Sequence, residues 1–215
     1  MTELVFILDR SGSMAGLELD TIGGFNSMIK KQQHETDGAA FVSTVLFNHD
    51  SEVLHDRIPL AEVKPLTEKD YEVGGMTALL DAVGNAIKHI KNIHKYARDD
   101  DRPQKTIFII TTDGHENSSE HFSYSDVKKL IEAQKEIGWE FIFMGANIDA
   151  AEVADHIGIE RRRAVNYHSD KIGTEKIYDA MSNLVSFAMS APTGSRIDDS
   201  WRKELDRDFK SRKKR

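Results

Sequence analysis

Leu4-Val5-Phe6-Ile7-Leu8-Asp9-Arg10-Ser11-Gly12-Ser13 decides the reading of this chain. Five apolar residues run without a polar break, the pattern of a strand buried on both faces in a parallel sheet. Directly after them a carboxylate and two hydroxyls fall on alternate positions, Asp9, Ser11 and Ser13. All three offer hard oxygen, the donor type suited to Mg²⁺, Mn²⁺ or Ca²⁺ rather than to zinc or copper. In an open α/β sheet, ligands sit at the carboxyl ends of the strands. The stretch therefore predicts a metal loop in a binding crevice. It does not by itself specify a reaction.

Outward from that strand, strand and helix patterns alternate, which predicts an α/β fold with a mainly parallel sheet and helices on both faces. A helix is expected over Leu17–His34, with Leu19, Ile22, Phe25, Met28 and Ile29 inward. Ala40–Phe47 and Ser51–Ile58 read as strands joined by the tight turn Asn48-His49-Asp50. So short a connection cannot make a parallel crossover, so these two are expected to be antiparallel. After an irregular stretch from Pro59 to Val73, Gly74-Gly75 precedes a long helix beginning near Thr77. Thr106–Ile110 reads as the most buried strand and runs into Thr111-Thr112-Asp113-Gly114. Later elements are a helix Ser125–Ile137 capped by Ser123 or Ser125, a strand Trp139–Met144 and a short helix Asp149–Ile157. A weak strand Ala164–Tyr167 and a closing helix Lys171–Met189 follow, the helix with Ile172, Ile177, Met181, Leu184, Val185 and Ala188 inward. His34, His89 and His94 sit at helix positions and read as partly exposed.

The length of 215 residues fits one large α/β domain, here 1–191, with 192–215 as a charged C-terminal extension, helical or partly disordered. Within that extension Arg196–Lys210 reads as a polar helix anchored by Trp201, Leu205 and Phe209. Charged residues make up 30% and hydrophobic residues 39%, the balance of a globular domain rather than a disordered one. No apolar run approaches the roughly 20 residues that span a bilayer, and Asp9 and Arg10 cut the only early apolar stretch too short for a signal peptide. Cysteine is absent, which excludes disulfides and thiolate metal sites. Together these point to the cytoplasm. Of the net charge of −7, the segment from Arg196 onward carries nine basic and five acidic residues, leaving the body at −11. An acidic body argues against nucleic-acid binding by the domain face. The basic run Lys210-Ser211-Arg212-Lys213-Lys214-Arg215 reads first as a solvated terminus.

A magnesium ion takes six oxygens, more than Asp9, Ser11 and Ser13 supply. Asp113 follows the strand expected to neighbour the first, and Thr77 follows two glycines that let its loop bend toward the same sheet edge. Two close carboxylates, Asp9 and Asp113, repel, and a cation between them relieves the repulsion. Waters complete the shell.

With Asp9-x-Ser11-x-Ser13, a distant Thr77 in Gly74-Gly75-Met76-Thr77-Ala78-Leu79, and Asp113 in Thr111-Thr112-Asp113-Gly114, the chain resembles the von Willebrand factor type A family, which includes integrin inserted domains. The resemblance covers about Glu3 to Met189. It implies a three-layer, doubly wound, Rossmann-like architecture: a mostly parallel six-stranded sheet with one antiparallel edge strand. It implies a metal-ion-dependent adhesion site (MIDAS) in which the two serines bind metal directly. Thr77 and Asp113 alternate between direct and water-mediated contact, and an acidic side chain from a partner protein takes the open position. It also implies an interaction module rather than an enzyme; bacterial and phage relatives often serve as adaptors for ATPases or as parts of stress and defence systems. In some relatives the last helix, here Lys171–Met189, slides as the metal shell changes.

Other readings of the same residues are weaker. In isolation, Asp9-x-Ser11-x-Ser13 serves equally as a helix cap. An EF-hand loop would need glycine where Met14 stands. A Mg²⁺- or Mn²⁺-dependent hydrolase of the phosphatase type would carry a second carboxylic acid where Ser11 stands. No Gly-x-Ser-x-Gly elbow of a serine hydrolase occurs. His115-Glu116, just past Asp113, offers a base or an extra ligand, but a loop histidine reads first as plain surface; Gly145-Ala146-Asn147-Ile148-Asp149 offers partner contact, but Asp149 reads first as a helix cap.

Overall fold

A computed structural model of the chain describes residues 1–35, 39–192 and 195–212. Residues 213–215 of the basic run lie outside the described residues. Strand β1 (Thr2–Asp9) is buried along its whole length, as its apolar run requires. It pairs in parallel with β2 (Ala40–Phe47) on one side and with β4 (Lys105–Thr112) on the other. Strand β3 (Ser51–Pro59) lies antiparallel to β2 at one edge. Strands β5 (Glu140–Ala146) and β6 (Ala164–Tyr167) extend the other side in parallel, so the order is β3-β2-β1-β4-β5-β6.

The two-residue period of a strand splits β1 between two cores. Leu4, Phe6 and Leu8 face one side, with α1 (Glu18–Glu35) and α5 (Lys171–Ser190). Val5 and Ile7 face the other, with α2 (Leu79–Tyr96), α3 (Tyr124–Lys135) and α4 (Ala150–His156). The expected α/β, three-layer architecture with one antiparallel edge strand is the observed one. A short α6 (Lys203–Arg212) follows a 3₁₀ turn at Ser200–Arg202, and its Leu205 joins the α1/α5 core with Trp201.

Some positions differ from the sequence expectation. Leu19 is 68% exposed. At about 100° per residue it lies roughly a third of a turn from the centre of the stripe formed by Ile22, Phe25, Met28 and Ile29. Ile172 is 51% exposed, nearly opposite the buried stripe of α5. His94 is buried rather than partly exposed, because its Nε2 lies 3.2 Å from Oε2 of the fully buried Glu3. Helix α2 begins at Leu79, leaving Thr77 in the preceding loop. Helix α3 starts on a Ser123–Asp126 capping box and ends at Lys135, before Gly138 turns with φ +90°. Among the described residues, no helix is long and apolar enough to cross a membrane.

Candidate metal centre

Asp9 is the last residue of β1, and Asp113 follows β4 by one residue. These strands are parallel neighbours with Leu8 opposite Thr111, so both carboxylates emerge side by side at the carboxyl edge of the sheet. Asp9 Oδ1 accepts from the Ser11 amide at 2.7 Å, and Asp9 Oδ2 from the Thr112 hydroxyl at 2.6 Å. A 3₁₀ turn at Gly12–Met14 brings Ser13 back over the site. The Ser11 and Ser13 hydroxyls lie 3.0 Å apart, and Ser13 Oγ donates to Asp113 Oδ1.

Thr77 reaches the same place from a different loop. A methyl group built on Gly114 would stand 3.3 Å from Ser13 Oγ and 3.7 Å from Thr77 Oγ1, so the Gly114 backbone lies against both hydroxyls. The loops are laced by main-chain bonds. Gly12 N donates to Gly75 O at 3.0 Å and Gly74 N to Arg10 O at 2.9 Å. Gly75 sits at φ +78°, a conformation open to glycine at little cost. The structure therefore brings Asp9, Ser11, Ser13 and Asp113 into one hydrogen-bonded chain, with Thr77 at its border.

Asp9, Ser11, Thr77 and Asp113 are buried, while Ser13 is exposed and gives the cluster its opening to solvent. Burial raises the Asp9 carboxyl above its ordinary value of 3.8, and the Asp113 charge adds to the rise; hydrogen bonds from Thr112 and Ser11 oppose it. Asp113 is likewise raised by burial, against hydrogen bonds from Ser13 and Ser169. The nearest basic side chain in sequence turns away: Arg10 Nη1 bonds Glu52 Oε2 at 3.0 Å and Asp70 O at 3.2 Å. The donor set is two carboxylates and three hydroxyls, all hard oxygen, and it fits Mg²⁺, Mn²⁺ or Ca²⁺. Among the described residues, no three His, Cys, Asp or Glu side chains gather as a metal cluster.

Several supporting residues escape the sequence reading. Tyr71, from the irregular stretch, is buried and donates its hydroxyl to Asp9 O. Glu116 is no plain surface group: its carboxylate accepts from Leu80 N at 2.9 Å, Ser118 N at 2.9 Å, and Ser119 N and Oγ at 2.8 Å each. It thereby ties the loop after Asp113 to the start of α2. Asn117 Oδ1 accepts from Thr77 N at 2.8 Å and holds Thr77 in place. Ser169 Oγ donates to Asp113 Oδ2 at 3.1 Å. Asn147, at φ +56°, donates Nδ2 to Asp113 O at 3.3 Å; asparagine tolerates that conformation, which is the one local signal for it. His115 is exposed, and Asp149 caps α4 by accepting from Ala151 N and Glu152 N.

A family model described as the von Willebrand factor type A domain matches residues 3–180. The chain belongs to that family. Among curated proteins, none matches the chain. The vWA fold recurs in solved structures of low identity. The PilB minor pilin from Streptococcus sanguinis superposes with a TM-score of 0.61 at 14% identity, over 89% of this chain and 63% of that one. Proximal thread matrix protein 1 from the mussel byssus, with a zinc-occupied MIDAS motif, gives 0.58 at 16%, over 86% and 45%. The vWF domain of the type V pili tip protein Mfa5 from Porphyromonas gingivalis gives 0.58 at 10%, over 90% and 98%. At these identities the likeness is one of fold. The chain spans less than two-thirds of the length of the pilin and of the matrix protein.

Proposed function

We propose that Asp9, Ser11, Ser13, Thr77 and Asp113 form a MIDAS that holds a divalent cation, Mg²⁺ in the first instance, and that an Asp or Glu of a partner protein completes its shell. The domain then works as a metal-dependent protein–protein interaction module, not as an enzyme. The observation that carries this reading is the pairing of Asp9 and Asp113 at a sheet edge, both buried, with hydroxyls and amides as their hydrogen-bond partners and Arg10 turned elsewhere. Burying two carboxylates without a countercharge is unfavourable, and a dication offsets it. With a cation bound, the charges of Asp9 and Asp113 are balanced, and the ion's open coordination position, reached past the exposed Ser13, takes a hard oxygen such as that of an incoming carboxylate. Membership of the vWA family, whose domains typically mediate protein–protein contacts, supports the same reading.

The proposed setting is the cytoplasm, as an adaptor of bacterial or phage origin for an ATPase, with no nucleic acid at the domain face. A chain without cysteine and with an acidic body suits that setting. Capture of proteins by the wild type in Mg²⁺, compared with Asp9→Ala and with EDTA, tests the module. Partners lost under both treatments support a metal bridge, and partners retained under both contradict it. Turnover of phosphate esters in Mg²⁺ or Mn²⁺ that disappears in Asp9→Ala would make the domain a hydrolase instead.

A further inference from the structure

At the opposite end of the sheet from Asp9 and Asp113, a cavity of about 450 Å³ opens between the amino ends of β4 and β5 and the carboxyl end of α5. Its charge runs against that of the domain. Lys105, Lys135, Arg162, Arg163 and Arg196 line it, against the carboxylates of Glu140 and Glu160. Four of these cations come from the acidic body of −11, and Arg196 comes from the basic segment that follows it.

Most of these cations have local ties. Lys105 Nζ donates to Ala188 O at 2.7 Å and to Ala191 O, closing the end of α5. Lys135 Nζ donates to Gly158 O at 3.1 Å and stands 3.8 Å from Glu160, which also takes Arg162. Arg163 differs. It is 4% exposed, yet neither Nη has a hydrogen-bond partner among the described residues. Its Nε lies 3.3 Å from Glu140 Oε2 and its Nη1 3.7 Å from Asp199 Oδ1, so two carboxylates balance its charge from a distance without taking up the forked donors. A buried guanidinium with idle donors is costly, and its planar fork matches the oxygens of a tetrahedral oxyanion. Ile137, 70% exposed, and Phe187 give the cavity an apolar wall beside the cations. The volume lies within the range of about 300–1,000 Å³ typical of small-molecule sites.

We propose that this cavity is a binding site for a phosphate group, free or borne by a small organic molecule, with the phosphate seated between the buried Arg163 and the exposed Arg196. The site is separate from the metal centre and independent of it.

The test uses the full chain in EDTA, with inorganic phosphate and AMP as probes, read by calorimetry and by ³¹P line broadening. Saturable binding is expected, weakened about tenfold in Arg163→Gln and about threefold in the exposed Arg196→Gln, and unchanged in Asp9→Ala. Tighter binding of AMP assigns an organic carrier, and equal or tighter binding of phosphate assigns the free ion. The absence of saturation by either probe overturns the proposal, since water would then satisfy Arg163. So does an affinity unchanged in every arginine variant that remains folded, or one abolished by Asp9→Ala.

Discussion

Ser169 Oγ donates to Asp113 Oδ2 across 3.1 Å, which joins the β6–α5 loop to the candidate metal centre. The residues on either side of Ser169 are held by α6. The His168 ring stacks on Phe209 at 4.8 Å, and Asp170 Oδ2 accepts from Arg212 at 2.6 Å. Asp170 also caps α5 through Gly173 N at 2.8 Å. Three consecutive residues thus connect a candidate metal ligand to the first turn of α5 and to a helix beyond the part matched by the family model. Ser169→Ala should weaken Mg²⁺ binding about fivefold, the worth of one hydrogen bond of about 1 kcal/mol. Calorimetric titration measures this; equal affinities would show that Asp113 is positioned without Ser169. Amide exchange in α5 with and without Mg²⁺ reads whether the loop passes the change on.

Acidity should separate the metal-free from the metal-bound protein. Burial raises both Asp9 and Asp113 in the metal-free chain. A carboxyl raised on folding favours the folded state when protonated, so that contribution is present below the ordinary value of 3.8 and is lost as pH rises through the raised folded value. In the proposed site, Mg²⁺ would reverse the preference by stabilising the ionised pair. The gain in Tm from Mg²⁺ over EDTA should therefore be small near the ordinary carboxylate range and grow toward neutral pH. Thermal scans across that range check it, and a gain independent of pH would argue against Asp9 and Asp113 as ligands.

The packing of α1 on α5 depends on Gly24. A methyl group there would stand 2.3 Å from Cδ2 of Tyr178, a buried ring that would have to shift. Gly24→Ala should destabilise the fold by about 1–3 kcal/mol despite its better helix propensity. Urea unfolding gives the difference. Gly23, where the same addition meets nothing within 4 Å, is the control and should tolerate alanine.

At the amino end of β1, Glu3 is fully buried and binds Arg57 Nε at 2.8 Å and His94 Nε2 at 3.2 Å. Glu3→Ala strands the guanidinium, and a loss of about 3 kcal/mol is expected in chemical unfolding. A neutral result would mean that water reaches Arg57 readily.

The apolar run of β1, the three-residue turn before β3 and the alternation of strands with helices are local signals, and each led to the observed architecture. That Asp9, Ser11, Ser13, Thr77 and Asp113 come to one edge of the sheet is legible for the same reason: each stands at the end of a strand or near a glycine turn. What stayed hidden depends on partners distant in sequence. Nothing near His94 announces Glu3, 91 residues away, as its partner. Nothing near Ser169 announces Asp113, and Tyr71 sits in a stretch without periodicity. Leu19 and Ile172 show a different failure: the other inward residues named for α1 and α5 are buried, but these two apolar residues stand off the stripe that those residues define.

Calorimetric titration of Mg²⁺ into the wild type and into Asp9→Asn, with folding checked by circular dichroism, tests the central claim most directly. One saturable site in the wild type, lost in the folded variant, is the predicted result. Equal binding by both proteins, or none by the wild type, would contradict it.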